Sequence, residues 1–107
     1  MSLAAEKCIP CAKGEGKLSA TDATALLGTL DGWVLEGVHL VKHAKFKDFV
    51  AALSFMNKIG VVAEAENHHP DLAFGWGYAD IRLTSHDAGG LTRNDFIVAA
   101  KIDNLSS

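Results

Sequence analysis

The stretch "AEAENHHPD", residues 63–71, sets two histidines side by side with carboxylates before and after them. Imidazole titrates near pH ~6.5, so its acid and base forms coexist at neutral pH and either can move a proton. Glu64 stands one helical turn before His68, the spacing at which a carboxylate can hold an imidazole's tautomer. Pro70 pushes His69 out of the helical region. Successive extended side chains diverge, so His68 and His69 should address different parts of a ligand or different partners. A third imidazole, His86, follows in "SHDAGG", and Asp95 follows in "TRND". A hairpin over "LAFGWGYADIRLTS", residues 72–85, would return His86 toward the first pair, with Asp95 facing the same cleft. Three imidazoles flanked by carboxylates suit acid–base catalysis.

Other chemistries fit less well. Three histidines can bind zinc, but His68, His69 and His86 form neither the H-x-x-x-H of a helical pair nor the H-x-H of a strand pair, so no metal site is expected. Cys8 and Cys11 form a lone C-x-x-C with no second pair to complete a zinc ribbon and no preceding strand for a thioredoxin-type site. That leader reads as a loosely ordered extension, with metal capture between subunits as the open alternative. No serine occupies a nucleophile-elbow context. His39 and His43 read as solvent-exposed strand residues and are assigned no chemistry.

The elements that would position these groups follow from periodicity. Residues 1–17 end in "KGEGK" and read as the extension; residues 18–107 read as one domain. "LSATDATALLGTLDGW" predicts a helix capped by Ser19 or Thr21, with Ala23, Leu26, Leu27 and Leu30 on one face, stopped at Asp31-Gly32. "WVLEGVHLVKHAKF" predicts a hairpin turning at Glu36-Gly37, with Leu40, Ala44 and Phe46 sharing a face. The longest helix spans 47–66, with a stripe through Phe49, Leu53, Met56, Gly60 and Ala63. Val50, Ile59 and Val62 widen its apolar arc beyond what one sheet face needs, which suggests contact with another subunit. A second hairpin follows Pro70, where Ile81 and Leu83 alternate with Asp80, Arg82 and Thr84. The last helix opens on the capping box "TRND" and runs through Phe96, Ala99 and Ile102. The order α-β-β-α-β-β-α predicts an α+β fold, a four-stranded antiparallel sheet with three helices packed on one face.

Composition narrows the class. The chain has 107 residues, of which 49% are hydrophobic and 21% charged, with a net charge of −3. This is enough for one globular core and too little for two. Basic residues are dispersed among acidic ones, which argues against direct nucleic-acid binding. The N-terminus lacks an apolar signal region and no run approaches the roughly 20 residues of a membrane span, so a cytoplasmic protein is expected.

Glu64, three residues, His68-His69-Pro70, five residues, Trp76, nine residues, His86, eight residues and Asp95 form a long pattern. It resembles the signature of the pterin-4a-carbinolamine dehydratases. "LLGTLDGW", "FMNKIGVVAEAENHHP" and "HDAGGLTRNDF" are similar to that family's entry into the first strand, central helix and loop into the last helix. The likeness spans roughly residues 18 to 105; Ala44, where members often carry an aromatic residue, is a departure that touches packing.

The resemblance implies loss of water from 4a-hydroxytetrahydropterin, in tetrahydropterin recycling, without metal or organic cofactor. It implies that His68 and His86 flank the 4a carbon as acid and base, and that His69 grips the ring and shares the proton work. Glu64 and Asp95 would orient imidazoles and Trp76 would shape the site wall. It further implies a homodimer or homotetramer. The family's binding-partner members, a transcriptional coactivator and relatives linked to Rubisco assembly, supply the alternative function: a protein-interaction role through the 47–66 helix.

Overall fold

The computed structural model describes residues 3–9 and 16–105. Cys11, and with it half of the C-x-x-C pair, lies outside the described residues. Helix α1 (Ala20–Leu27) begins where the Ser19 hydroxyl accepts a hydrogen bond from the Asp22 amide. Strands β1 (Trp33–Glu36) and β2 (His39–Lys45) form the first hairpin, α2 (Phe49–Glu66) crosses the sheet, and β3 (Asp71–Gly75) and β4 (Tyr78–Leu83) form the second. Helix α3 (Arg93–Asp103) closes the chain. All pairings are antiparallel, in the order β1-β2-β4-β3, so β1 and β3 are the edges. The expected α+β arrangement is therefore the observed one. Leu40, Ile81, Leu83 and Ala79 face the helices and meet Ile59, Phe96, Val98 and Ile102, all buried.

Two local expectations shift. Register pairs Glu36 with His39, so the first turn is Gly37-Val38, with Gly37 at φ 61°, where a side chain would be strained. The buried stripe of α2 is Ala52, Phe55, Met56, Ile59 and Ala63; Met56 and Ala63 are as expected, while Ala52, Phe55 and Ile59 take the places expected of Phe49, Leu53 and Gly60. Phe55 sets it by packing on Phe46, with ring centroids 5.3 Å apart. Phe49 and Leu53 fall at its exposed margin, and Val50 and Val61 lie on the open side.

The end of α2 aims the histidines. Asn67 takes a left-handed conformation (φ 50°, ψ 42°), the Asn67 amide donates to the Glu64 carbonyl at 3.4 Å, and the His68 amide donates to the Ala63 carbonyl at 3.2 Å. This is a Schellman closure, which satisfies the last carbonyls and turns the chain sharply off the helix axis. Asn tolerates that conformation better than most residues and a β-branched side chain tolerates it least. Asn67→Val should therefore cost about 1–2 kcal/mol in urea unfolding and lower turnover by misaiming His68, whereas Asn67→Gly should retain both.

The N-terminal segment is not a loose appendage over residues 3–9. Leu3 is buried, Lys101 donates to the Ala4 carbonyl at 2.8 Å, and Arg93 grips Glu6 through Nε and Nη2 at 2.8 and 2.6 Å. This strap packs on α3, whose residues Asn94 through Ala99 are all buried. A stretch this short carries no periodicity from which such packing can be read.

Candidate active site

Asp95 is the anchor. It sits at the third position of α3 and its side chain is fully buried. One carboxylate oxygen, Oδ2, accepts from the Thr92 amide at 2.9 Å and from the Ser85 hydroxyl at 2.7 Å. The other, Oδ1, lies 2.6 Å from His68 Nε2. Because Ser85 spends its proton on Asp95, the Thr92 hydroxyl, 2.9 Å from Ser85 Oγ, donates to it. Every donor in this cluster thus has an acceptor, as burial requires. The capping carboxylate and the histidine-holding carboxylate are the same group. With Nε2–H donating to Asp95, neutral His68 keeps Nδ1 as its acceptor nitrogen.

His69 turns the other way. Its Nε2 pairs with Glu64 Oε2 on the exposed side of α2. The expected pairing of Glu64 with His68 is not the one observed. The left-handed turn at Asn67 breaks the helical spacing and swings His68 toward α3, leaving His69 to fold back over the last turn of α2. His86 sits in a short 3-10 turn (His86–Ala88) directly after Ser85. Ser85 is pinned to Gly90 by paired backbone hydrogen bonds of 3.2 and 3.4 Å and to Asp95 by its hydroxyl, so His86 is held at the rim.

His68, His69 and His86 line one hollow of about 580 Å³. That volume is in the range of roughly 300–1,000 Å³ usual for small-molecule sites. His68 is only 16% exposed, whereas His86 is open to solvent. Trp76 is 72% exposed at the tip of the β3–β4 turn and does not line this hollow in the single chain. Register forces this, since Gly75 pairs with Tyr78 and leaves Trp76-Gly77 as the two-residue loop. His43 is exposed and pairs with Asp80, and His39 is half-buried rather than open; neither reaches the hollow. Among the described residues no three His, Cys, Asp or Glu side chains converge as metal ligands. No described helix is long and apolar enough to cross a membrane.

Residues that sequence reading missed complete the wall. Cys8, Ile9, Glu66 and Asn94 line the hollow with the histidines. The Cys8 amide donates to Glu66 Oε1 at 2.8 Å and its thiol donates to the Asn94 carbonyl at 3.6 Å. Burial, then the neighbouring Glu66 carboxylate, pushes the thiol up to about 12, so Cys8 stays protonated at neutral pH and is no nucleophile there. Glu66, 8% exposed, is held below its ordinary 4.5 chiefly by the Cys8 amide, against the opposing effect of burial and with help from Lys101 and Lys7. A carboxyl lowered on folding stabilises the folded form above its unfolded value and loses that contribution as the pH falls through the folded value. Acidification below about 4.5 should therefore loosen the strap. Modification of Cys8 by 4,4′-dithiodipyridine, which attacks thiols in acid, should be slow at neutral pH and faster below that point. Equal protection throughout would contradict it.

Comparison with known proteins gives the family. The family described as pterin 4 alpha carbinolamine dehydratase matches residues 16–105. A protein of Rubrobacter xylanophilus, named provisionally as a pterin-4-alpha-carbinolamine dehydratase, is 43% identical over 104 residues, 96% of this chain and 97% of that one. One of the same provisional name from Rickettsia canadensis is 46% identical over 104 residues, 95% of each chain. A solved structure from Brucella melitensis, titled transcriptional coactivator/pterin dehydratase, superposes with a TM-score of 0.76 at 32% identity, covering 80% of this chain and 94% of that one. The chain belongs to the pterin-4a-carbinolamine dehydratase family.

Proposed function

We propose that the protein dehydrates 4a-hydroxytetrahydropterin to quinonoid dihydropterin, with His68, His69 and His86 carrying the proton transfers. The observation that carries this reading is the convergence of the three imidazoles on one hollow, with His68 tied to buried Asp95. In the reaction the C4a–O bond breaks and the departing hydroxyl takes a proton to leave as water. N5 loses its proton, and the N–H electron pair becomes the C4a=N5 double bond. One group must donate as another accepts, and imidazoles can do both near neutral pH.

His68 and His86 flank the 4a carbon in this proposal, one as acid and one as base, while His69, steadied by Glu64, contacts the ring. Asp95 is a positioning residue that orients the His68 ring and selects its tautomer. Trp76 joins the site only if a second copy presents it, and a homodimer or homotetramer is the assembly we propose. Product analysis tests the reaction. The protein should convert freshly generated 4a-hydroxytetrahydropterin to quinonoid dihydropterin faster than buffer does. Binding of the pterin without faster loss of water contradicts the proposal.

One observation favours a second role, as a protein-binding partner. Val50, Leu53 and Val61 are exposed along α2, and the Brucella melitensis structure carries a coactivator title beside its dehydratase one. Replacing His68 and His69 by alanine separates the two: turnover should vanish while oligomerisation is unchanged.

A further inference from the structure

Residues 8 and 9 reach the hollow from the opposite end of the chain, and they are bolted to the same two helix ends that aim His68. Asn94, itself buried and immediately before Asp95, holds Ile9 by its backbone. The Asn94 Oδ1 accepts from the Ile9 amide at 3.0 Å and its Nδ2 donates to the Ile9 carbonyl at 2.6 Å. Glu66, the last residue of α2, takes the Cys8 amide. Both backbone polar groups of Ile9 are thereby used, and what it presents to the hollow is its side chain, 72% exposed.

The rest of the lining is mostly imidazole, hydroxyl, carboxylate and amide, with Cys8 and Ala88 the small exceptions. Such groups can bond the polar edge of a pterin, and of them only the imidazole rings can also lie against its faces. Small-molecule sites usually combine a few polar groups with apolar surface against the ligand's flat sides. Ile9 is the largest apolar side chain available there. We infer that Ile9 is a substrate-binding residue, an apolar wall laid against the pterin, with Asn94 and Glu66 as the positioning residues that hold it. The strap is on this view part of the site and not a tail beside it. The inference rests on the dehydratase reading above.

Steady-state kinetics on 4a-hydroxytetrahydrobiopterin test it with the full chain. Ile9→Ala should raise KM about 10-fold and leave kcat within about twofold, because removing apolar contact weakens binding of ground and transition state alike. Ile9→Leu should restore KM to near the wild-type value. Asn94→Asp, which keeps the acceptor and loses the donor to the Ile9 carbonyl, should raise KM in the same way. The exposed Ile9 side chain can be changed without threatening the fold, so the Ile9 pair decides the matter even if Asn94→Asp is unstable. Wild-type turnover with unchanged KM in Ile9→Ala overturns the inference and leaves the dehydratase reading standing. Absence of wild-type turnover overturns that reading, and the inference with it.

Discussion

Glutamine in place of His68 is expected to lower kcat about 10²–10⁴-fold, the usual contribution of one acid–base group, while the protein stays folded. The glutamine amide can still donate to Asp95 Oδ1, which His68 Nε2 now meets at 2.6 Å. The buried carboxylate therefore keeps a partner, and the large penalty for stranding a buried charge is avoided. Glutamine cannot pass a proton on. A Tm within a few degrees of wild type together with the loss of turnover would separate proton transfer from structural support. Near-normal kcat would show that His68 holds Asp95 in place and does no chemistry.

The second large effect is at Asp95, where stability and catalysis part company between two variants. Asp95→Ala removes the acceptor for Thr92 N–H, Ser85 O–H and His68 at once, in a place with no solvent access. Losing one partner of a buried, hydrogen-bonded pair costs about 3–5 kcal/mol. That is a large part of the total of about 5–15 kcal/mol typical of a domain, and Tm should fall by more than about 10 °C. Asp95→Asn preserves the shape. Its amide nitrogen must face either the Ser85 and Thr92 donors or His68. Facing His68, it obliges Nε2 to accept and moves the imidazole proton to Nδ1, the wrong tautomer for a base. The expected result is a modest fall in Tm with a fall in kcat of about 100-fold or more. Equal losses in both variants of both quantities would mean that Asp95 is purely structural.

Much of this arrangement was legible in the sequence because it depends on local signals. Pro70 after two histidines announced the end of α2, and "TRND" announced the capping box that buries Asp95. Alternation of Ile81 and Leu83 placed the last strand's inner face. What was not legible depends on a single backbone angle or on distant packing. Glu64 and His68 have helical spacing, but the positive φ at Asn67 cancels it and hands Glu64 to His69. Trp76 has the family's spacing, yet pairing of β3 with β4 leaves it at a hairpin tip. The strap was missed for a different reason. Cys8 and Ile9 find their partners, Glu66 and Asn94, far along the chain, and nothing in the leader's own composition points to them.

The most direct measurement follows the decay of freshly generated 4a-hydroxytetrahydropterin by absorbance, comparing wild type with the His68→Ala, His69→Ala double variant at matched oligomeric state. Acceleration by wild type that the double variant loses is the predicted result. A folded wild-type protein that leaves the decay at the buffer rate, or a double variant as fast as wild type, would contradict catalysis by the histidines lining this hollow.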